Sequence, residues 1–181
     1  MKYAPIAVLE TARLRLRKIT MEDVDAYYHR LAGREAVTRY MLWKTHEHIS
    51  ESVASIQKVL GRYETGCCYR WGIALRQTDS LIGIIELLHF DEESNACSFA
   101  YMLAEEFWNL GYGTEALRAV FGFAFDQMGI KTITADHFLE NGASGRVMEK
   151  AGMHMTRILP GKYEKNGRKY DAVEYTITSE Q

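Results

Sequence analysis

Apolar residues along the chain recur with two different periods, and the period changes near residue 69. Between Thr20 and Gly33, and again between Val53 and Tyr63, they recur every three to four positions, which predicts two amphipathic helices. The stretch 34–50 between these helices has no clean period and is predicted to be a loop or a broken helix. Alternation with a period of two predicts strands at 14–19, 69–76, 81–90 and 95–103. Short polar links join the last three, so they should form an antiparallel meander.

The longest helical pattern follows a glycine turn in the middle of the chain. Its apolar stripe consists of Leu117, Val120, Phe121, Ala124, Phe125 and Met128. These positions predict a helix with one buried face. The apolar run 132–135 comes next, and after a helical crossover it can only pair in parallel.

The last part of the chain predicts one more helix and two more strands. Asn141 and Gly152 are typical of the start and the end of a helix, so a short helix is expected over 141–151. Strands are predicted at 154–159 and 170–178, with the turn residues Asn166 and Gly167 between them. The elements together predict a single α/β (α+β) domain over 1–181, with a mixed, mostly antiparallel sheet of about seven strands and flanking helices.

Composition narrows the class of function. The chain has 181 residues, of which 47% are hydrophobic and 25% charged, as in globular proteins. A formal net charge of -2 gives no basic footprint for nucleic acid. The basic residues among 13–18 alternate with leucines, so they are interpreted as the solvent face of a strand. We expect a cytoplasmic protein that does not enter membranes, because no run of about eighteen apolar residues and no signal-peptide layout is present.

Cysteine and histidine positions predict no metal site. Cys67, Cys68 and Cys97 form neither a disulfide framework nor a C-x-x-C pair, and buried free thiols are expected. His46 and His48 form an H-x-H sequence without a nearby carboxylate or cysteine at ligand spacing.

Gly111 and Gly113, just before the long helix, are typical of an anion site. Glycine lets backbone N–H groups approach a ligand, and the first amides of a helix have no partner within it. A phosphate would also meet the positive end of the helix dipole. An ordinary loop before a core helix is the alternative. With Ala116 and Asp136 the glycines also match a dinucleotide fingerprint, but no strand leads directly into the turn and no series of βα units follows.

The chain resembles the GNAT superfamily of acyl-CoA N-acetyltransferases, and within it the RimJ/RimL-like branch. The resemblance rests on FWNLGYGTEAL at 107–117 and on NGASGRVMEKAGM at 141–153, and it extends from residue 11 to residue 171. It implies the GNAT fold and transfer of an acetyl group from acetyl-CoA to an amine acceptor.

The resemblance also implies which residues bind the coenzyme. A pyrophosphate loop maps to residues 108–114, including Trp108 where many relatives have Gln or Arg. The strand before the loop would splay at a bulge and offer its backbone to the pantetheine arm, and Asn141 and Ser144 match the family's Asn-x-x-Ser. A capped helix with a polar first turn is the alternative for these two. The full set implied is Tyr101, Met102, Leu103, Trp108, Leu110, Gly111, Tyr112, Gly113, Thr114, Asn141 and Ser144.

The catalytic residues are less regular. Met148 stands where many relatives have a tyrosine that protonates the leaving thiolate, so Ser144 is predicted to be the acid. Glu86 interrupts an apolar run where an unpaired charge would be costly, which makes it a candidate base; a salt-bridged or edge-facing glutamate is the alternative. His137 is the second candidate, because Ser98 and Tyr163 occupy positions where related enzymes often have a glutamate.

The acceptor is predicted to be a primary amine, on a protein N-terminus or on a small molecule. Tyr40 and Trp43 lie in the irregular stretch 34–50 and are candidates to contact it. A monomer and a homodimer both remain open. A non-catalytic acyl-CoA sensor built on the same fold is the alternative function.

Overall fold

One sheet of eight strands organises the part of the chain that the structure, a computed structural model, describes: residues 4–66 and 68–180. The strand order is β1-β2-β3-β4-β5-β6-β8-β7. The strands are β1 Leu9–Glu10, β2 Leu14–Arg17, β3 Tyr69–Leu75, β4 Leu81–Asp91, β5 Ala96–Leu103, β6 Thr132–Phe138, β7 His154–Lys165 and β8 Arg168–Thr178. The fold is the predicted mixed, mostly antiparallel one. The additional strand is β1, whose two residues are too few to show a period.

The described residues form five α-helices, which pack on the sheet or lie between its strands. They are α1 Val24–Ala26, α2 Glu35–Thr38, α3 Ile49–Glu64, α4 Tyr112–Asp126 and α5 Gly142–Lys150. The predicted first helix is in fact three consecutive geometries, a 3-10 turn over Met21–Asp23, α1, and a π-helical stretch over Tyr27–Ala32. The Thr20 amide donates to the Asp23 carboxylate at 2.8 Å, as in a capping box.

Strands β5 and β6 pair only over the first part of β5 and then diverge, and this divergence positions the candidate site described below. They pair in parallel from Ala96 with Thr132 to Ser98 with Thr134, whereas β5 continues to pair with β4 as far as Leu103 with Gly83. One edge of β5 is therefore released from β6 after Ser98. The strand splays as expected, but the bulge does not lie there, because the irregular register of β4 and β5 falls between Leu88 and Asp91.

The final hairpin, formed by β7 and β8, lies at one edge of the sheet. Lys165 pairs with Arg168, so Asn166 and Gly167 form a two-residue turn, with φ values of 53° and 73° that suit the turn preferred in hairpins. Strand β7 runs beyond the predicted 154–159 to Lys165 and is irregular between Leu159 and Tyr163.

Apolar side chains fill both faces of the sheet. One core packs against α4 and α5 and includes Trp71, Leu117 and Phe121; the other packs against α3 and the first helical segment and includes Leu31 and Ile56. The predicted stripe of α4 is buried apart from the half-buried Phe125.

The thiols of Cys68 and Cys97 are buried and free, as expected, and burial raises the pKa of Cys97 to about 12. Cys67 lies outside the described residues. Within residues 4–66 and 68–180, no helix is long and apolar enough to cross a membrane.

Candidate active site

A cavity of about 750 Å³ opens where β5 leaves β6, and its volume is typical of small-ligand sites. Nine of the eleven residues implied to bind coenzyme line it: Tyr101, Met102, Leu103, Trp108, Gly111, Gly113, Thr114, Asn141 and Ser144. Four elements therefore meet at one cavity: the released end of β5, the glycine loop, the first turn of α4 and the first turn of α5.

The glycine loop has the backbone shape of an anion site. Gly111 immediately precedes α4 and has a φ of 84°, a conformation that any L side chain would strain. Asn109 also has a positive φ, of 61°, which asparagine tolerates better than most residues. Helix α4 has fifteen residues, and its first amides lack partners within the helix, so its N-terminus presents donors and a partial positive charge at the cavity.

Trp108 fastens this loop to the sheet. Its indole Nε1 donates to the carbonyl oxygen of Leu103 at 2.7 Å, at the released end of β5. The side chain thus fixes the distance between the glycine loop and the strand that forms the opposite wall. This contact gives a physical reason for a tryptophan at the first position of the loop.

Arg13, which directly precedes β2, holds the glycine loop in place through its side chain. The alternation of basic residues and leucines over 13–18 did not indicate this role. The Arg13 Nε donates to Glu115 at 2.7 Å and its Nη1 donates to the carbonyl oxygen of Leu110 at 2.9 Å. The guanidinium also lies 4.2 Å from the centre of the Tyr112 ring. Arg13 therefore holds both the loop and the first turn of α4.

Leu110 and Tyr112 are the two of the eleven residues that do not line the cavity. Leu110 is 54% exposed and takes part through its carbonyl. Tyr112 packs against Phe107 and Arg13. Both residues contribute contacts that hold the loop, on either side of the left-handed Gly111.

Helix α5 brings the second motif to the same cavity. Asn141 occupies the N-cap position but makes no side-chain capping bond there, so helix capping does not explain this residue. Ser144 is 9% exposed and its Oγ lies 3.4 Å from the Tyr101 hydroxyl. Met148, one turn later, is 2% exposed and belongs to the core, so it offers no polar group to the cavity.

Two basic residues of α5 also line the cavity and were not singled out from the sequence. Arg146 and Lys150 lie four residues apart, which places them on one face of the helix. The same spacing occurs on many solvent-facing helices, so it indicates a site only once the neighbouring wall is known.

Glu86, the first candidate base, does not line the cavity. The side chain is buried between two arginines, with Arg70 Nε at 2.6 Å and Arg62 Nη2 at 2.8 Å from its oxygens. Arg70 is its cross-strand partner in the register of β3 and β4, and Arg62 lies on α3. The charge within the apolar run is therefore compensated by ion pairs, which was the alternative explanation.

His137, the second candidate base, lines neither cavity described in this section. Its Nδ1 lies 2.7 Å from the carbonyl oxygen of Phe138, and Nε2 is buried without a hydrogen-bond partner among the described residues. That nitrogen faces the underside of α5, where a Cβ on Gly145 would lie 2.8 Å from it. The ring is thus a packing surface beneath α5.

A second cavity of about 790 Å³ adjoins the first. Tyr40 and Glu140 line both, so they form the boundary, and the Tyr40 hydroxyl donates to the Glu140 carbonyl oxygen at 3.4 Å. Trp43 lines the second cavity only. The irregular stretch 34–50 therefore supplies part of the wall of both cavities.

Lys165, at the tip of the final hairpin, holds this wall in place. Its Nζ donates to the carbonyl oxygens of Thr38, Arg39 and Met41 at 3.2, 2.8 and 2.7 Å. Three carbonyls at the end of the short helix α2 thereby find a charged donor, which satisfies groups that the helix leaves without partners.

The remaining site hypotheses have structural answers. His46 pairs with Ser52 at 2.8 Å, and burial lowers the pKa of the imidazole. The described residues contain no cluster of His, Cys, Asp or Glu that could hold a metal ion. The dinucleotide hypothesis is contradicted by the topology, because β5 is the end of an antiparallel meander and Asp136 forms an ion pair with Lys162.

Comparison with known proteins identifies the family. Residues 13–154 match the acetyltransferase (GNAT) domain family. The N-acetyltransferase YoaA of Bacillus subtilis, itself uncharacterized, is 32% identical over 170 residues, which cover 94% of this chain and 96% of YoaA. The chain belongs to the GNAT acetyltransferase family.

Solved structures share the fold over nearly the whole chain. A GNAT-family acetyltransferase from Bacillus anthracis superposes with a TM-score of 0.87 at 23% identity, covering 97% of this chain and 100% of that one. RimL, the ribosomal L7/L12 alpha-N-protein acetyltransferase solved with coenzyme A, gives 0.82 at 17% identity, covering 95% and 98%.

Proposed function

We propose that this protein transfers an acetyl group from acetyl-CoA to a primary amine by direct attack while both substrates are bound. The observation that carries the proposal is the single cavity lined by the glycine loop, by Asn141 and Ser144, and by Tyr40 of the variable wall. Family membership supports acetyl transfer as the reaction.

The cavity fits the coenzyme at three places. The N-terminus of α4, with Gly111 and Gly113, offers amides to a pyrophosphate, and Arg146 and Lys150 add positive charge for its phosphates. The backbone groups at the released end of β5 would form hydrogen bonds with the amides of the pantetheine arm. The Asn141 side chain, which is not used in capping, would bind the same arm.

The chain's own residues would do modest chemistry. Holding the amine against the thioester supplies most of the acceleration, since effective molarities of positioned groups are large. Backbone N–H groups near Met102 would stabilise charge on the acyl oxygen. Ser144 would donate a proton to the departing sulfur.

The proton of the amine would be removed by a residue on the opposite wall of the cavity. Among the described residues, Glu140 is the only Asp, Glu or His that lines the first cavity. We propose that its carboxylate attracts the ammonium form and accepts a proton through water. An α-amine, with a pKa of about 7.7 to 8, requires less help than a lysine amine near 10.4.

The acceptor is proposed to lie against Tyr40 and Trp43, where the two cavities meet. An aromatic wall beside a carboxylate is suited to a cationic group. RimL acts on a protein N-terminus, and we propose the same RimJ/RimL-like class for this chain. Free thiols at Cys68 and Cys97 are consistent with the cytoplasmic location that we propose.

The test is release of coenzyme A thiol with a panel of peptides, polyamines and aminoglycosides, each compared with its N-acetylated form. We expect thiol release only with a free amine. When both substrate concentrations are varied, double-reciprocal plots of the initial rate should give intersecting lines, and parallel lines would contradict direct attack. Tight acetyl-CoA binding without turnover of any amine would contradict the enzymatic proposal and support a non-catalytic sensor.

A further inference from the structure

The proton that Ser144 gives to the departing sulfur must itself be replaced. An isolated serine hydroxyl is a weak acid, and Met148, at the position where many relatives have a tyrosine, cannot supply a proton. The structure places the phenol of a different tyrosine next to Ser144. Tyr101, on β5, donates a hydrogen bond to Ser144 Oγ at 3.4 Å, although the two residues are 43 positions apart.

This phenol is held in place by its surroundings. Its ring centre lies 6.2 Å from that of Phe99, and its edge is close enough to Gly113 that a Cβ there would contact it at 3.6 Å. The hydroxyl is therefore directed from beneath the coenzyme cavity toward the first turn of α5. A separation of 3.4 Å is long for two hydroxyl groups, but hydrogen bonds in sites without substrate commonly shorten on binding.

We propose that Tyr101 is a positioning residue that orients the Ser144 hydroxyl and replaces its proton during acetyl transfer. As the carbon–sulfur bond breaks, the Ser144 O–H bond breaks and an S–H bond forms. Ser144 Oγ takes the phenolic proton of Tyr101 in the same step. Tyr101 then regains a proton from the solvent, which has received the proton lost by the attacking amine, so both hydroxyl groups are restored and no other reactant is consumed.

The environment keeps the phenol ready for this role. Burial raises the pKa of Tyr101, and the Ser144 hydrogen bond opposes that shift only in part. The hydroxyl is therefore protonated at neutral pH and remains a donor. The proposal rests on the acetyl transfer proposed above. It assigns to Tyr101, on β5, the proton donation that Met148, on α5, cannot provide.

The test is a double-mutant cycle with Tyr101→Phe and Ser144→Ala. Tyr101→Phe should lower kcat by about tenfold, a modest part of what general acids contribute, with the KM for acetyl-CoA changed less than roughly twofold. The double variant should be no slower than Ser144→Ala, because Tyr101 acts only through Ser144. Multiplicative losses would overturn the relay.

A binding measurement separates this inference from activity itself. The thiol pKa of bound coenzyme A, read from thiolate absorbance, should rise in Tyr101→Phe because a donor to the thiolate is weakened. An unchanged thiol pKa would overturn the inference. Tyr27→Phe is the matched control: that buried phenol also lies 3.4 Å from a serine oxygen, Ser55 Oγ, but lines neither cavity, so kcat should be unchanged. If wild-type protein binds no acetyl-CoA, the proposed function fails; if wild type is active and Tyr101→Phe equals it, only the relay fails.

Discussion

Glu115, in the first turn of α4, receives three hydrogen bonds from the start of β2 and its approach. The Arg13 amide and guanidinium donate at 2.9 and 2.7 Å, and the Thr11 hydroxyl donates at 2.6 Å. Residues 102 positions apart are thereby joined directly beneath the glycine loop. The coenzyme loop thus depends on the N-terminal strand as well as on its own sequence.

Arg13→Met should weaken acetyl-CoA binding by about tenfold, because the loss of charge-assisted hydrogen bonds of about 1.5–3 kcal/mol frees the loop. Arg15→Met is the matched control. It lies two residues further along, on β2, with a side chain 44% exposed, against 45% for Arg13, and pairs only with surface carboxylates. Calorimetric titration of both variants measures the difference. Equal affinities would contradict the supporting role of Arg13.

Acid should weaken the same contact. Burial on its own would raise the pKa of Glu115, but the hydrogen bonds from Thr11 and Arg13 outweigh it and hold the pKa below its ordinary value. The stabilisation is therefore complete above the unfolded pKa of about 4.3 and is lost as pH falls through the lowered folded pKa.

Urea denaturation between about pH 6 and 3 tests this dependence. The free energy of unfolding should fall with acid less steeply in Glu115→Gln than in wild type, because the glutamine has no proton to take up. Glu115→Gln should also be less stable at neutral pH by about 1–2 kcal/mol. Parallel pH curves for the two proteins would show that Glu115 contributes nothing.

Gly145 sets how closely α5 approaches the sheet. An alanine Cβ there would lie 2.8 Å from His137 Nε2 and 2.9 Å from the Tyr175 hydroxyl, closer than packed atoms allow. Gly145→Ala should destabilise the fold by about 1–3 kcal/mol through overpacking, and displace Ser144 enough to lower kcat.

The control for this substitution is Gly122→Ala, in the interior of α4, where a Cβ meets nothing within 4 Å. It should stabilise the protein by up to about 1 kcal/mol, since alanine favours a helix over glycine. Thermal melting and kcat are measured for both. A Gly145→Ala variant that gains stability like Gly122→Ala would contradict the close packing of α5.

Lys165→Met should affect the acceptor and spare the donor. The lysine binds three carbonyls of the wall that carries Tyr40, and its removal loosens that wall. We expect the KM for the amine to rise about tenfold with unchanged acetyl-CoA affinity, a loss of uniform binding. Lys169→Met, on the neighbouring strand and outside both cavities, is the control. A matching change in both variants would indicate a general loss of stability.

Much of the fold could be predicted from the sequence, because its elements differ in period. The stripe of α4, the meander of β3 to β5 and the Asn166-Gly167 turn are all local patterns, and each is confirmed. The two-residue strand β1 and the π-helical turn after α1 were missed, since both depend on tertiary contacts rather than on a repeat.

The site was predictable only where a motif carries it. The residues of the two motifs do line one cavity. The ion pairs of Glu86 could not be predicted, because a charge in an apolar run has two explanations, and choosing between them requires the register that sets Arg70 opposite Glu86. Arg13 and Tyr101 form hydrogen bonds with partners on distant segments, Glu115 and Ser144, which no local pattern reveals.

Titration of acetyl-CoA into the purified protein, followed by calorimetry, tests the central claim most directly. Wild type should bind one equivalent, and Gly111→Asp, which adds a strained, negative side chain to the pyrophosphate site, should lose the binding. Gly129→Asp is the control, with a similar φ of 66°, open space around its Cβ and no part in the cavity, and it should bind like wild type. Absence of binding by wild type, or equal affinity in Gly111→Asp, would contradict the account.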